Sequence, residues 1–196
     1  KAIIVLRHPV DRCFSHYRWR YRLGLEKRSF FEAVYHDGFG YDPDKPTKFG
    51  YMAYLEFSRY ARHCTVWEGA LGAENCLFLS SDALRNAHDE TMNRCFSFLG
   101  VPELTRKSPP RKINSTDELL PRKLRKLSRL ARIIPHSVRS SRAFYMAKKQ
   151  LLAATVPSPP NSMTDAERIF VEEALSDDIA WFDARFLDDQ DHHRIA

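Results

Sequence analysis

The chain lacks a glycine loop suited to phosphate. Each of its seven glycines is followed by Leu, Phe, Tyr, Ala or Val, so no Gly-Lys, Gly-Ser or Gly-Thr step occurs. The loop that cradles a triphosphate in P-loop nucleotide hydrolases is therefore excluded from these residues. Cysteine is scarce too, with Cys13, Cys64, Cys76 and Cys95 standing singly and no C-x-x-C pair. That speaks against a zinc site or a dense disulfide framework and predicts reduced thiols acting as small apolar residues, one disulfide being the alternative. The eight histidines show no metal-ligand spacing, so no metal is expected. The apolar run from Ala2 to Leu6 is as long as any in the chain, whereas a membrane-crossing helix needs about 20 such residues. The chain opens on Lys1 rather than Met and is strand-like from its second residue. This start reads as a cut, and the lack of a signal peptide then carries little weight.

Charge is present but unevenly spread. Residues 105–142 hold 12 Lys/Arg against only Asp117 and Glu118, a balance of +10 within a chain whose net charge is +6. Such an excess suits an anionic partner without saying whether it is a nucleotide, a sulfated glycan, nucleic acid or lipid. A chain of 196 residues is long enough for one domain with a proper core, and 1–196 is read as one.

Local order is legible in several places. Ala2 to Leu6 is continuously apolar and rich in branched side chains, as in a parallel strand covered on both faces. Pro9 suits the first turn of a helix, and Val10, Phe14, Tyr17 and Tyr21 give that helix an apolar stripe. Gly24 is placed to cap its C-terminus. Ser29 with Glu32, and Thr164 with Glu167, have the spacing of capping boxes. A helix is expected from about Gly50 to His63, after a loop over 38–49. Cys76 to Leu79 reads as a second buried strand. Met92, Cys95, Phe96 and Leu99 mark a helix that Gly100-Val101-Pro102 ends. Ser108 to Asn114 is a basic loop, Leu120 to Ile134 an amphipathic basic helix, and Val156 to Ser162 a proline-rich turn. Phe170, Ala174, Phe182 and Phe186 predict one long terminal helix. Strands alternating with helices place the chain in the α/β class, with a parallel sheet flanked by helices.

The segment richest in chemistry is Leu6-Arg7-His8-Pro9-Val10-Asp11-Arg12-Cys13-Phe14-Ser15-His16-Tyr17. In open α/β sheets, ligands bind just beyond the carboxyl ends of the strands, and Arg7 sits at such an end. A guanidinium grips a phosphate through two parallel hydrogen bonds, and the Ser15 hydroxyl, eight residues on, adds a third donor. The helix between them offers its positive end to the same anion. Asp11, Ser15, Arg18 and Arg22 share a helix face. Arg18 either extends the anion site or is a solvated arginine, alone or paired with Asp11.

The run R-x-P-x-x-R-x-x-S-x-Y after an apolar strand resembles the 3′-phosphate-binding motif of sulfotransferases that use 3′-phosphoadenosine-5′-phosphosulfate (PAPS), in the heparan-sulfate-type and bacterial branch. More of the chain is similar to that family: Leu23-Gly24-Leu25-Glu26, then Ser29-Phe30 and Glu32-Ala33; Gly50-Tyr51 with Leu55; Cys76 to Leu79 followed by Asp82 and Leu84; Phe98-Leu99-Gly100-Val101; and Met163-Thr164 with Glu167-Arg168 and Asp178-Ile179. The likeness runs from Lys1 to about Asn114 and resumes near Pro160. It implies a fold related to P-loop kinases and direct in-line transfer of a sulfuryl group from PAPS to a hydroxyl or amine, possible carbohydrate acceptors included, with Arg7 and Ser15 as binding residues and no metal.

The resemblance also implies that the phosphosulfate loop, its lysine and the catalytic base lie upstream of Lys1. No catalytic residue is assigned, His8 and His16 being the only titratable bases near the clamp. Arg111 and Lys112 sit where family members close over the nucleotide. Residues 105–160 are expected to form an insertion or an acceptor-side cap, whose basic helix is either a solvated face or a groove for an acidic glycan. Isolated cysteines and bacterial-type flanks point to the cytoplasm, with a Golgi lumen left open. Two rival readings remain. A nucleotide kinase would prefer ATP to the bisphosphate, and a nucleic-acid-binding module would show salt-sensitive binding that survives Arg7→Ala. Against the latter, the basic block lacks the interleaved aromatics of single-strand binders.

Overall fold

The computed structural model describes residues 1–37, 53–103 and 158–191, with isolated positions between 135 and 147. The basic loop with Arg111 and Lys112, the helix expected over 120–134 and the loop over 38–49 lie outside the described residues. Two strands, β1 (Ala2–Leu6) and β2 (Cys76–Ser80), pair in parallel with Ala2 opposite Cys76 and Leu6 opposite Ser80. Parallel pairing demands a long crossover. Here it contains α1 (Pro9–Arg22), α2 (Phe30–Tyr35) and α3 (Tyr60–Leu71). Beyond β2 come α4 (Ser81–Asn86), α5 (His88–Leu99), α6 (Asp165–Ala174) and α7 (Ser176–Asp191). The described residues thus form a mixed helix–strand fold around a small parallel sheet.

Local signals behave as the sequence predicts. Pro9 opens α1, and Gly24 at φ 68° closes it, with Leu25 N–H bonded to the Arg20 carbonyl and Gly24 N–H to that of Tyr21. That is a Schellman end, for which a left-handed residue is needed. Both capping boxes form. All four cysteines are free, and Cys13, Cys64 and Cys95 are buried as apolar packing residues.

Two hydrophobic clusters hold the elements together. One joins Val10, Cys13, Phe14 and Tyr17 of α1 to Phe30 and Val34 of α2, to Tyr54 and to Val171 of α6. The other sets Leu6 of β1 against Tyr60 and Cys64 of α3 and Phe182 and Phe186 of α7. Burying each such aromatic side chain contributes about 1.5–3 kcal/mol. The two faces of β1 are covered unequally by the described residues. Ile4 and Leu6 pack against α3 and α7, but Ile3 and Val5 on the opposite face are 38% and 47% exposed. The period-2 pleat sends them away from those helices, and the described residues cover them only in part.

Two expected helices are also corrected. Residues 53–59 form a turn and a short 3-10 segment (Glu56–Ser58), and the α-helix begins only at Tyr60 and runs past His63 to Leu71. The terminal helix is two helices that break at Leu175, whose φ of −117° and ψ of 18° leave the helical region. Leu175 is fully buried in the first cluster, so core packing outweighs helix continuity.

The break also sets Asp178 of α7 at the start of α3. Its Oδ1 accepts the Ala61 N–H at 3.0 Å, and its Oδ2 lies 3.9 Å from Arg59 Nη1. Burial raises the Asp178 pKa, against the pull of the Ala61 hydrogen bond and Arg59. The α3 N-terminus has no side-chain cap from its own Arg59, so a carboxylate distant in sequence supplies it. Asp178→Ala should cost about 2 kcal/mol, since the cap is lost and a buried amide is left unsatisfied. Asp178→Asn, which retains an acceptor, should recover most of that loss. Urea denaturation of the two variants checks the difference.

Candidate functional site

The site is built where β1 ends. Leu6 is buried under α3 and α7, which fixes the strand end, and the Tyr60 hydroxyl oxygen receives a backbone hydrogen bond from Arg7. Burial pushes the Tyr60 pKa up to about 12, so the hydroxyl stays neutral there. The next residue, His8, is the N-cap position of α1 and sets its ring edge against Phe182, with centroids 5.6 Å apart. Backbone and imidazole are thus committed to packing, while the Arg7 side chain extends outward.

The Arg7 side chain is 41% exposed, and its Nη2 lies 3.7 Å from Asp11 Oδ2. Such an exposed, long contact is worth little, about 0–1 kcal/mol. Asp11 and Ser15 are one helical turn apart and share a face. Arg7 therefore leans along the α1 face that carries Ser15, and Ser15 itself is half-buried. Arg18, expected on that face too, lays its guanidinium over the Phe14 ring, 5.9 Å from the centroid, and Arg22 is buried. Asp11 takes Arg7 as its partner. Its charge suits the positive first turn of α1, but it competes with any anion for Arg7.

Behind α1 lies a second polar layer that sequence reasoning did not pick out. Glu26 is 4% exposed. Its Oε1 accepts from Lys27 N–H at 2.9 Å, Arg28 N–H at 3.1 Å and Arg28 Nε at 3.0 Å, and its Oε2 accepts from Arg28 Nη2 at 2.7 Å and the Tyr54 hydroxyl at 2.8 Å. Burial works to raise its pKa, yet the bonds from Arg28, Tyr54 and Lys27 prevail and hold it at about 2. Asp37 accepts the amide protons of Tyr54 at 2.5 Å, Leu55, and Glu56 at 3.3 Å. Burial nevertheless pushes its pKa up to about 6, against those amides and the Arg12 charge. Both carboxylates grip the same short segment, 54–56, from partners 28 and 17 residues away. No local pattern announces such pairs.

The two carboxylates give opposite pH signatures. The Glu26 pKa is depressed on folding, so its contribution is present above the usual 4.5 and is lost as pH falls toward about 2. The Asp37 pKa is raised from 3.8 to about 6, so its contribution is fully present below 3.8 and is lost as pH rises through 6. The melting temperature should therefore fall from about pH 4.5 to about pH 6 and level off above. In Asp37→Asn that slope should flatten, which thermal melts at several pH values will show.

Among the described residues no group of three or more His, Cys, Asp or Glu is placed to hold a metal ion, and no helix is long and apolar enough to cross a membrane. No family model matches the chain, and no curated protein matches it. Among solved structures the chain is similar to the crystal structure of a sulfotransferase from Alicyclobacillus acidocaldarius, with 22% sequence identity and a TM-score of 0.46 over 86% of this chain. The match spans 57% of that protein's length.

Proposed function

We propose that the chain belongs to a PAPS-dependent sulfotransferase, with a P-loop-kinase-like fold, and that this stretch supplies the clamp for the donor's 3′-phosphate. The observation that carries this reading is the placement of Arg7: a half-exposed side chain at the carboxyl end of a parallel strand, leaning toward Asp11, one helical turn from Ser15 on α1. The order strand, Arg, Pro turn, helix, Ser is that of the motif the sequence resembles. Arg7 would donate two charge-assisted hydrogen bonds to the phosphate and Ser15 one more. Meeting the phosphate would draw Arg7 away from its long contact with Asp11.

In the reaction an acceptor hydroxyl or amine attacks the sulfur, the bond from sulfur to the bridging phosphate oxygen breaks, and adenosine 3′,5′-bisphosphate leaves. The acceptor's proton passes to a base, a role assigned to no residue of this stretch, as is the grip on the sulfuryl end. The contribution of Arg7 and Ser15 is to hold the nucleotide so that sulfur meets its attacker in line. For the acceptor, the +10 balance of residues 105–142 favours an acidic small molecule or glycan over nucleic acid, since the block has few aromatics for stacking.

Because the grip on the sulfuryl end is assigned to no residue of this stretch, the stretch by itself is expected to bind nucleotide weakly and to be inactive. The direct test is therefore calorimetry on the complete protein that contains it, with adenosine 3′,5′-bisphosphate, AMP and ATP. A clear preference for the bisphosphate over AMP is the expected result. Equal affinity for bisphosphate and AMP would remove the 3′-phosphate clamp, and a preference for ATP would favour a phosphotransferase.

A further inference from the structure

Arg12, the second arginine of the R-x-P-x-x-R run, has a different task from Arg7. We propose that Arg12 is a positioning residue that locks α1 onto the 54–58 turn and so fixes where Ser15 and Arg7 meet the phosphate, rather than a ligand of the anion. The inference rests on the sulfotransferase reading above and deepens it.

Three observations support it. First, the Arg12 guanidinium is already engaged. Nη1 donates to the Tyr54 carbonyl at 3.2 Å and reaches Ser58 Oγ at 3.5 Å, and the group stacks over Phe57, 5.4 Å from the ring centroid. Burial lowers its pKa, yet a guanidinium remains charged at neutral pH. Second, the turn it holds is hydrogen-bonded on several sides. Ser58 Oγ donates to the Tyr54 carbonyl at 3.0 Å, Asp37 takes the turn's amide protons, and Glu26 takes the Tyr54 hydroxyl. Carbonyl and amide sides of one turn are thus gripped by an arginine from α1 and an aspartate just beyond α2. Third, Arg12 lies three residues from Ser15 and next to Asp11, so a roll of α1 on this contact would displace the clamp directly. His16, one turn on, sets its ring 5.0 Å from Tyr54 and 6.1 Å from Phe57, which extends the same docking stripe. Small misplacements of binding groups are costly because hydrogen bonds to phosphate weaken steeply with angle and distance.

The test reads the ratio of affinities for adenosine 3′,5′-bisphosphate and AMP, by calorimetry on the complete protein that contains this stretch. A change that merely unfolds a fraction of the protein weakens both ligands equally and leaves this ratio alone. Arg12→Ala should lower the ratio about tenfold, roughly the worth of one hydrogen bond to a charged group. Asp37→Ala, acting on the other side of the turn, should lower it in the same direction. The double variant should do no more than Arg12→Ala, because both changes release the same turn. Where Arg12→Ala does not fold, Arg12→Lys carries the test: it keeps the charge and one hydrogen bond but not the fork or the stacking, and should lower the ratio about threefold. An undiminished ratio in the folded Arg12 variants overturns the proposal. So do additive effects of Arg12→Ala and Asp37→Ala, which would make Arg12 a ligand in its own right. A wild-type chain with no preference for the bisphosphate overturns the clamp itself and this inference with it, whereas a wild-type preference that Arg12 variants retain overturns only the inference.

Discussion

Arg7→Ala is expected to weaken binding of adenosine 3′,5′-bisphosphate about a hundredfold while AMP binding changes far less. A hydrogen bond to a charged group contributes about 1.5–3 kcal/mol, and loss of a two-pronged grip adds up to nearly 3 kcal/mol, or about two powers of ten in affinity. Stability should scarcely move. The side chain is 41% exposed, and its contact with Asp11 is 3.7 Å long between two groups open to solvent. The melting temperature of the variant should stay within about 2 °C of the parent. Calorimetry paired with a thermal melt separates the two effects. A variant that binds the bisphosphate as tightly as the parent would leave Arg7 as a surface partner of Asp11 and nothing more.

The second large effect concerns stability. Glu26→Ala should destabilise the fold by about 3 kcal/mol, at the lower end of what breaking a buried ion pair costs. The lower end applies because Arg28 is 37% exposed on its side chain while Glu26 is almost wholly covered. Removal of the carboxylate strands the Tyr54 hydroxyl, which is buried in the first cluster, and two backbone amides at once. Because Tyr17 also donates its hydroxyl to the Arg28 carbonyl at 2.9 Å, the loosened segment should disturb the α1–α2 contact. Urea denaturation at pH 7 measures the loss. As pH falls toward about 2, where Glu26 begins to protonate in the folded parent, the gap between parent and variant should narrow. A Glu26→Ala chain as stable as the parent at pH 7 would mean that water satisfies these donors and that the cluster contributes little.

Much of this molecule is written in short stretches of its sequence. The strand at Ala2–Leu6, the proline that opens α1, the left-handed Gly24 that closes it, the two capping boxes and the end of α5 at Gly100 all depend on residues within a few positions of one another. Side-chain branching, fixed φ and local hydrogen bonds determine them, and these act before any tertiary contact exists. That Asp11 and Ser15 share one face of α1 follows from the same local geometry.

What only the tertiary structure decided are pairings across long separations. Tyr54, Leu55 and Glu56 give their amides to Asp37 instead of entering the helix that their spacing suggests. Leu175 leaves its helix to fill a core built by α1, α2 and α6. Asp178 caps a helix 117 residues earlier, and Arg12 reaches the Tyr54 carbonyl 42 residues away. Periodicity and capping rules see only neighbours along the chain. Burial of a carboxylate or a guanidinium, with the hydrogen bonds that burial then requires, arises only when remote segments close on one another.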